Sequence, residues 1–193
     1  MPLSAAELAA RAALRARQGR GARYDAPNAP AEELLLARRG TAFFARKLME
    51  LPDAALYEPS ATAGLTRAHV VVRVSYAARR QALMLEALAG GGDPGVLPEE
   101  AAQSLPEPAL AATLPARAIR HLFHHSEVHL NVCWRDLTEA QWDMTVALHE
   151  GGTITPRSLP MRRAREVWLG ALELGNGAMA RDLPPALREA AGA

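Results

Sequence analysis

The sequence predicts an all-α protein built on four long amphipathic helices, with a short hairpin or irregular segment before the fourth. Four stretches repeat apolar residues at helical spacing, and glycine- and proline-rich segments separate them. Hydrophobic residues are 49% and charged residues 22% of the 193 residues, as in an ordinary globular domain. Because each helix has an apolar face to bury, a four-helix bundle is the natural fold.

The first two long helices have recognisable starts. Pro30 opens "PAEELLLARRGTAFFARKLMEL", which has acidic residues in its first turn and leucine and phenylalanine at helical spacing after them. After the connection "PDAALYEPSATAG", Thr66 opens the second helix, which runs to about Ala89. The segment "GGGDPG" follows and ends it.

The second half of the chain contains the other two helices and the hairpin. Pro115 is well placed at the start of "ARAIRHLFHHSEVHLNVCWRDL", the third helix. Thr138 followed by Gln141 is a capping-box pattern for a short helical turn. The stretch "MTVALHEGGTITP" alternates around a Gly-Gly pair and predicts a two-stranded hairpin. The fourth helix, "MRRAREVWLGALEL", is expected to stop at Gly175.

The domain organisation follows from these boundaries. Residues 1–28 are interpreted as an N-terminal extension, a short alanine-rich helix followed by a turn-rich linker. Residues 29–193 form the helical domain, and no second C-terminal domain is expected.

Composition and sequence indicate the cellular compartment and exclude some classes of binding partner. The net charge is +1, so neither nucleic acid nor a membrane is expected as a partner. Cys133 is the single cysteine, which excludes an intrachain disulfide and fits a reducing compartment. The N-terminus lacks the apolar region of a secretory signal, and no apolar run reaches the ~18 residues of a membrane span. We therefore predict a cytoplasmic protein.

Five motifs in order carry a resemblance to a known family: "LLLARRGTAFFARKL", "LPDAAL", "GLTRAHVVVRVSYA", "VCWRDLTEAQW" and "RAREVWLGALELG". From about Pro30 to Leu187 the chain resembles the N-terminal domain of the mycothiol-dependent maleylpyruvate isomerases, within the DinB/YfiT-like superfamily. The third motif resembles the family's G-W-T-x-x-H-x-x-x-H, and the last its R-x-R-E-V-W-x-H-x-x-D-L-G. The resemblance implies a DinB-like four-helix bundle.

The resemblance also implies a metal site and shows where this chain departs from it. In the family a divalent metal, typically zinc, is held by the second histidine of the helix-two motif, the glutamate of R-E-V-W and a histidine four residues later. The corresponding residues here are Arg73, Glu166 and Gly170. His69, the other histidine of the motif, is not a ligand position. The resemblance thus implies a degenerate metal site. No cofactor is predicted, although zinc and a low-molecular-weight thiol such as mycothiol remain implied by the family.

The two replacements suggest a hypothesis about the vacated position. Arg73 is predicted to pair with Glu166, because an unpaired carboxylate inside a bundle is costly and a guanidinium can bind it through two hydrogen bonds. Gly170 is expected to provide the space that the longer side chain needs. Two roles are open for this ion pair. It either occupies the metal position without a chemical role, or it belongs to an anion-binding site. In the second case the substrate-binding candidates are Arg73, Arg80, His69 and Tyr76, which share one side of the second helix.

The third helix carries the histidine-rich stretch "HLFHHSEVH". His121, His124 and His125 are expected at the surface, whereas helical spacing places His129 on the apolar side together with Ser126 and Cys133. His129 is therefore either a hydrogen-bonded core histidine or a general base. A shifted metal site composed of His129, Glu166 and His69 is a further alternative.

The sequence leaves three functions open. The first is a metal-independent, repurposed maleylpyruvate-isomerase-like enzyme that moves a proton on a small carboxylate or carbonyl compound, with Glu166, His129 and Arg73 as catalytic candidates. The second is a non-catalytic protein that binds a small molecule or a partner. The third is a thiol-dependent metal-binding isomerase with shifted ligands. A small carboxylate is the expected ligand in the first, and a homodimer is expected by analogy with relatives.

Overall fold

The computed structural model describes residues 4–18, 24–92, 106–147 and 152–191. Within these ranges the chain is mainly helical, as predicted. The α-helices are α1 Ala5–Gln18, α2 Ala31–Met49, α3 Arg67–Ala89, α4 Pro108–Ala111, α5 Ala116–Asp136, α6 Glu139–Trp142, α7 Leu159–Glu173 and α8 Pro185–Ala191. Short 3-10 helices occupy Asp53–Tyr57, Pro156–Ser158 and Ala180–Asp182. No helix in the described ranges has the length and hydropathy needed to cross a bilayer.

The long helices α2, α3, α5 and α7 begin and end within two residues of the predicted positions, although α7 begins at Leu159 rather than at Met161. Thr66 caps α3 by accepting a hydrogen bond from the His69 backbone N–H, and Pro115 directly precedes α5. Gly175 follows α7 in a left-handed conformation, with φ of 60°, which a residue without Cβ adopts at least cost. The segment predicted to end α3 is described only to Gly92, and its remainder lies outside the described residues.

The long helices bury one continuous apolar core. Helix α2 packs along α7, α3 packs along α5, and α3 also contacts α7. Phe44 of α2 and Phe123 of α5 meet at the centre with their ring centroids 4.9 Å apart. All-helical packing of this kind is the predicted fold class, and it leaves grooves between neighbouring helices in which side chains from two elements can meet.

The small sheet before α7 is also confirmed. Strands β1 (Val146–Ala147) and β2 (Thr153–Ile154) pair antiparallel, with Val146 opposite Ile154. Both of these side chains are buried and belong to the apolar core. The turn between the strands, including the first glycine of the predicted Gly-Gly pair, lies outside the described residues.

The predicted N-terminal extension contains the expected short helix, α1. Its last residues contact the helical domain, since Asp25 accepts a hydrogen bond from Arg38 at 2.6 Å and Asn28 donates one to the Glu139 carbonyl at 3.0 Å. Ala26 also packs against the core. The segment that joins these residues to α1 lies outside the described ranges, and the domain boundary after residue 28 remains a prediction.

Helices α2 and α7 approach so closely at Gly40 that a side chain has no room there. A Cβ atom at Gly40 would lie 2.6 Å from the indole of Trp168 and 2.6 Å from Cγ2 of Val167. The Trp168 indole is fixed in place, because its N–H donates to the Leu36 carbonyl at 3.1 Å and its ring stacks on Phe43. Gly40 thus sets the distance between these two helices.

Replacing Gly40 with alanine is expected to lower the free energy of unfolding by about 1–3 kcal/mol, the usual cost of overpacking a well-filled core. Urea denaturation of both proteins measures this change. The matched control is Gly92→Ala, where an added Cβ would lie no closer than 3.5 Å to its neighbours. Equal stability of Gly40→Ala and the control would contradict this account of the α2–α7 contact.

Candidate functional site: a cleft between helices α3 and α7

A cleft of about 370 Å³ opens between α3 and α7. Its residues recur at one-turn and two-turn spacing on both helices, as expected when a single face of each helix borders a groove. The lining consists of Arg73, Val74, Ala77, Arg80, Arg165, Glu166, Leu169 and Glu173. Its volume is in the range of small-molecule sites, and its charged residues include both of the predicted partners Arg73 and Glu166.

Arg73 pairs with Glu173 rather than with Glu166, so the predicted pair is wrong. Its guanidinium donates to a Glu173 carboxylate oxygen at the outer part of the cleft, and its side chain is 49% exposed. Glu173 is two helical turns beyond Glu166 on the same face of α7. An arginine that reaches the outer carboxylate keeps much of its hydration, and this avoids the cost of burying a second cation beside Glu166.

Glu166 is instead contacted by two groups that sequence reasoning did not select. Arg163, three residues earlier on α7, places Nη1 3.5 Å from the Glu166 carboxylate. Gln81 of α3 donates from Nε2 to the other carboxylate oxygen at 3.5 Å. Both contacts are long, so the carboxylate is held from two helices without a short ionic hydrogen bond.

Arg163 is the buried cation of this site, since its side chain is 1% exposed. Its Nη1 donates to the Val74 carbonyl of α3 at 2.7 Å, and its Nη2 has no hydrogen-bond acceptor among the described residues. Burial lowers the pKa of Arg163, whereas Glu166 and then Glu127 oppose that change. Because an arginine keeps its proton even so, a permanent positive charge lies behind the cleft.

The electrostatics of the cleft centre on Glu166. Burial raises the pKa of its carboxyl group above the ordinary 4.5, and this effect exceeds the opposing influence of Arg163, Arg80 and Arg162. The cause is desolvation, which disfavours the charged form of an acid. A carboxyl group shifted in this direction is better suited to exchange a proton near neutral pH than an exposed glutamate.

Gly170 does not provide space for Arg73, so that expectation is also wrong. A Cβ atom at Gly170 would lie 2.9 Å from Cγ2 of Val74 and 3.2 Å from Cε2 of Phe44. The missing side chain instead lets α7 approach α2 and α3. Helical spacing puts Gly170 on the same side of α7 as Glu166, but one face of a helix spans an arc wide enough to include the core beside the cleft.

His69 and Tyr76, predicted to bind substrate, are engaged outside the cleft. The His69 ring caps α3: its Nδ1 accepts from the Thr66 backbone N–H at 3.3 Å and lies 2.7 Å from the Thr66 hydroxyl. The Tyr76 hydroxyl donates to the Pro106 carbonyl at 2.7 Å. Burial and then Glu107 raise the pKa of Tyr76. The structure therefore does not bring these two side chains together with Arg73 and Arg80.

His129 is separated from the predicted catalytic residues as well. Its Nε2 lies 2.7 Å from a carboxylate oxygen of Glu86 on α3, and it borders a different depression, with His121 and His125. His121, His124 and His125 are exposed, as predicted. The shifted metal site of His129, Glu166 and His69 is not formed, because the ligand atoms that converge with His129 belong to Glu86 and Cys133.

Some of the missed residues had a sequence signal. Arg163 and Arg165 belong to the run "RRAR" directly before the motif glutamate, and Arg163 is one turn from Glu166. Glu173 shares the helical face of Glu166. What the sequence did not contain was the distance between helices, which decides which of two carboxylates Arg73 reaches.

The all-helical arrangement matches a DinB-like fold, and comparisons with known proteins identify the family. A family model described as "Mycothiol maleylpyruvate isomerase N-terminal domain" matches residues 37–175. The chain therefore belongs to the mycothiol maleylpyruvate isomerase N-terminal domain family. A search of curated protein sequences found no match.

Two solved structures are similar to this chain over most of its length. The crystal structure of a histidine-to-alanine mutant of the mycothiol-dependent maleylpyruvate isomerase superimposes with a TM-score of 0.71 at 33% identity. The crystal structure of the mycothiol-dependent maleylpyruvate isomerase gives 0.71 at 32% identity. Each match covers 80% of this chain and 64% of the other chain. This chain thus spans less than two thirds of the length of those proteins.

Replacing Glu166 with glutamine is expected to stabilise the protein. The difference in the free energy of unfolding between this variant and the unchanged protein is expected to grow as the pH rises. Below the ordinary glutamate value of 4.5 both side chains are neutral in the folded and unfolded states. Above it the unfolded carboxyl group ionises first, so the unchanged protein loses stability until the pH exceeds the raised folded pKa, whereas glutamine does not titrate.

Urea unfolding of the two proteins at intervals between about pH 4 and pH 8 measures this difference. Glu32→Gln, in the exposed first turn of α2, is the control for removing one carboxylate from the chain. A difference between Glu166→Gln and the unchanged protein that stays constant or shrinks with rising pH would contradict the raised pKa.

Proposed function

We propose that the α3–α7 cleft binds a small carboxylate or carbonyl compound and that the protein moves a proton on it, in an isomerase- or lyase-type reaction without a metal ion in the cleft. The observation that carries the proposal is a carboxyl group of raised pKa, Glu166, in a ligand-sized cleft lined by three arginines. Membership in the maleylpyruvate isomerase family supports an isomerase-like reaction.

Arginine charge is the proposed basis of ligand binding. Arg73, Arg80 and Arg165 line the cleft against Glu166 and Glu173, which leaves positive charge in excess. In the described part of the chain no carboxylate lies within ion-pairing distance of Arg80 or Arg165. A planar guanidinium group can bind a carboxylate through two parallel hydrogen bonds, and we assign that role to Arg80 and Arg165.

Glu166 is the proposed proton carrier. With the ligand oxygen bound by Arg80 and Arg165, the Glu166 carboxylate removes a proton from the carbon next to the ligand's carbonyl group. The electron pair of the broken C–H bond moves onto the bound oxygen as an enolate, and Glu166 returns the proton to another carbon of the same molecule. The arginines stabilise the negative charge that develops on oxygen during this step, and such stabilisation is usually the largest catalytic contribution. Gln81 and Arg163 keep the carboxyl group oriented during the transfer.

The residues at the family's metal position support a reaction without zinc there. A catalytic zinc site requires about three protein ligands. Arg73 is a cation with no free electron pair to offer, and Gly170 has no side chain and is closely packed against Val74 and Phe44. Glu166 alone remains as a ligand. The proposed reaction accordingly has no step that passes through a metal ion or a thiol.

The first test measures turnover. Maleylpyruvate is the substrate to try first, since the two similar structures are of a mycothiol-dependent maleylpyruvate isomerase. The full chain, treated with a chelator, is assayed with and without mycothiol. Glu166→Gln is expected to lower kcat by about 10²–10⁴-fold, the usual contribution of a general acid or base, while Kd for the ligand changes little.

Glu32→Gln is the matched control and should retain full turnover. Turnover that requires added zinc together with mycothiol would overturn the metal-independent reaction and favour the thiol-dependent alternative. Turnover that survives Glu166→Gln would remove Glu166 from the mechanism. If neither maleylpyruvate nor related small keto acids turn over although they bind, the protein is a non-catalytic binder.

The second test measures binding. Arg80→Met is expected to weaken the binding of maleate and similar small dicarboxylates about 10- to 100-fold, because it removes one charge-assisted contact. Isothermal titration calorimetry at constant ionic strength measures Kd. Arg39→Met, which removes an exposed arginine of α2 outside the cleft, is the control. Equal weakening by both variants would indicate only a general effect of charge.

A further inference from the structure

A second group of chemically reactive side chains lies where the C-terminal part of α3 packs on α5, away from the cleft. His129 and Cys133 are one helical turn apart on the same face of α5, and Glu86 of α3 faces them. Nε2 of His129 is 2.7 Å from a Glu86 carboxylate oxygen. One ligand atom from each of the three residues lies within 4.8 Å of the other two.

We propose that Glu86, His129 and Cys133 form a binding site for a divalent transition-metal ion of the zinc class. Imidazole nitrogen, thiolate sulfur and carboxylate oxygen are the donors that zinc takes in proteins. Around a tetrahedral ion at normal bond lengths such atoms are about 3.3 to 3.8 Å apart. Small rotations of the three side chains bring the present group to that spacing and open the short contact between His129 and Glu86.

Two further observations favour a cation at this group. His129 Nδ1 is buried and has no hydrogen-bond partner in the described ranges, so no hydrogen bond at that nitrogen holds the ring against the small rotation that metal binding requires. Burial, followed by Glu86 and Asp136, raises the pKa of the Cys133 thiol to about 12, so the sulfur lies in a negative electrostatic environment. A divalent ion is attracted to that environment, and it makes the thiol a ligand by displacing its proton.

Access to the site is consistent with exchange of an ion with solvent. Glu86 is 53% exposed and His129 is 21% exposed, while Cys133 is buried. The three protein ligands leave a fourth position for water or another small molecule. This site shares no residue with the cleft, and the inference does not rest on the proposed function.

A neighbouring histidine row is the main competitor for metal. The rings of His121 and His125, and those of His125 and His129, are each 6.1 Å apart between centroids. Exposed histidines one turn apart chelate transition metals weakly without any thiol. The experiment must therefore detect the sulfur itself rather than metal binding alone.

Cobalt(II) is the probe that separates the two sources. The full chain is stripped with a chelator and titrated with Co²⁺, and the thiolate-to-cobalt charge-transfer absorption in the near ultraviolet is recorded. The unchanged protein is expected to develop this band with the intense visible absorption of a four-coordinate ion, and stoichiometric Zn²⁺ should abolish both. Each ion bound should release about one proton, because the thiol is protonated beforehand.

Three variants assign the ligands. Cys133→Ser should lose the band, and His129→Ala and Glu86→Gln should each weaken Co²⁺ binding about tenfold or more. His124→Ala is the matched control, since His124 is an exposed histidine of the same helix and its Nδ1 lies 3.4 Å from Glu127. It should leave the band and the affinity unchanged. Circular dichroism of each variant confirms that it is folded.

Several results would overturn the site. One is the absence of the charge-transfer band in the unchanged protein. Another is cobalt binding that Cys133→Ser leaves intact and His125→Ala abolishes, which would assign the ion to the exposed histidine row. If Cys133→Ser does not fold, an unaltered band in both His129→Ala and Glu86→Gln would be equally decisive.

Discussion

The cleft depends on one buried cation. Arg163 is enclosed among the helices, and moving a charge from water to such a place costs several kcal/mol unless it is compensated. Two groups compensate it: the Val74 carbonyl accepts a 2.7 Å hydrogen bond, and Glu166 contributes a longer ionic contact. The short hydrogen bond from Arg163 to the Val74 carbonyl links α7 to α3, so it also holds the two walls of the cleft together.

This arrangement explains why Glu166 is shifted towards protonation although an arginine is beside it. A guanidinium with a short bidentate contact would lower the pKa of the carboxyl group. Here the strongest hydrogen bond of Arg163 goes to a backbone carbonyl, so the carboxylate receives only a 3.5 Å contact. The desolvation of Glu166 then outweighs the attraction. The choice of acceptor by Arg163 thus helps to leave the pKa of Glu166 raised.

The sequence was sufficient for the architecture because helix ends are local. Thr66 and Pro115 act through their own backbone and that of the next turn, so the bounds of α3 and α5 followed from neighbouring residues. The family motifs then identified α3 and α7 as the helices of the site. The cleft lies between those helices, and Arg73, Arg80 and Glu166 line it. Their roles in binding and catalysis remain predictions.

The contacts within the site were harder to predict, for a physical reason. Arg73 has a long, flexible side chain, and two carboxylates lie two turns apart on the facing helix α7. Whether Arg73 pairs with Glu166 or with Glu173 depends on the distance between the helices and on hydration. Gly170 was expected to make room for the Arg73 side chain, but the sequence does not indicate which neighbouring residue packs against a glycine. His129 was expected on the apolar side, and only the packing of α3 revealed Glu86 as its partner.

Helix α3 connects two regions of opposite electrostatic character. Arg73 and Arg80 make one part of it attractive to anions, whereas Glu86, with Asp136 near Cys133, makes its far end attractive to cations. Arg73 and Glu86 are 13 residues apart in a helix, which is about 20 Å along the axis. At physiological ionic strength, solvent screens exposed charges beyond about 8 Å. An anion in the cleft and a cation at the α3–α5 contact therefore interact weakly through their fields. Any coupling between them has to pass through movement of α3 itself, and the Val74–Arg163 hydrogen bond resists that movement.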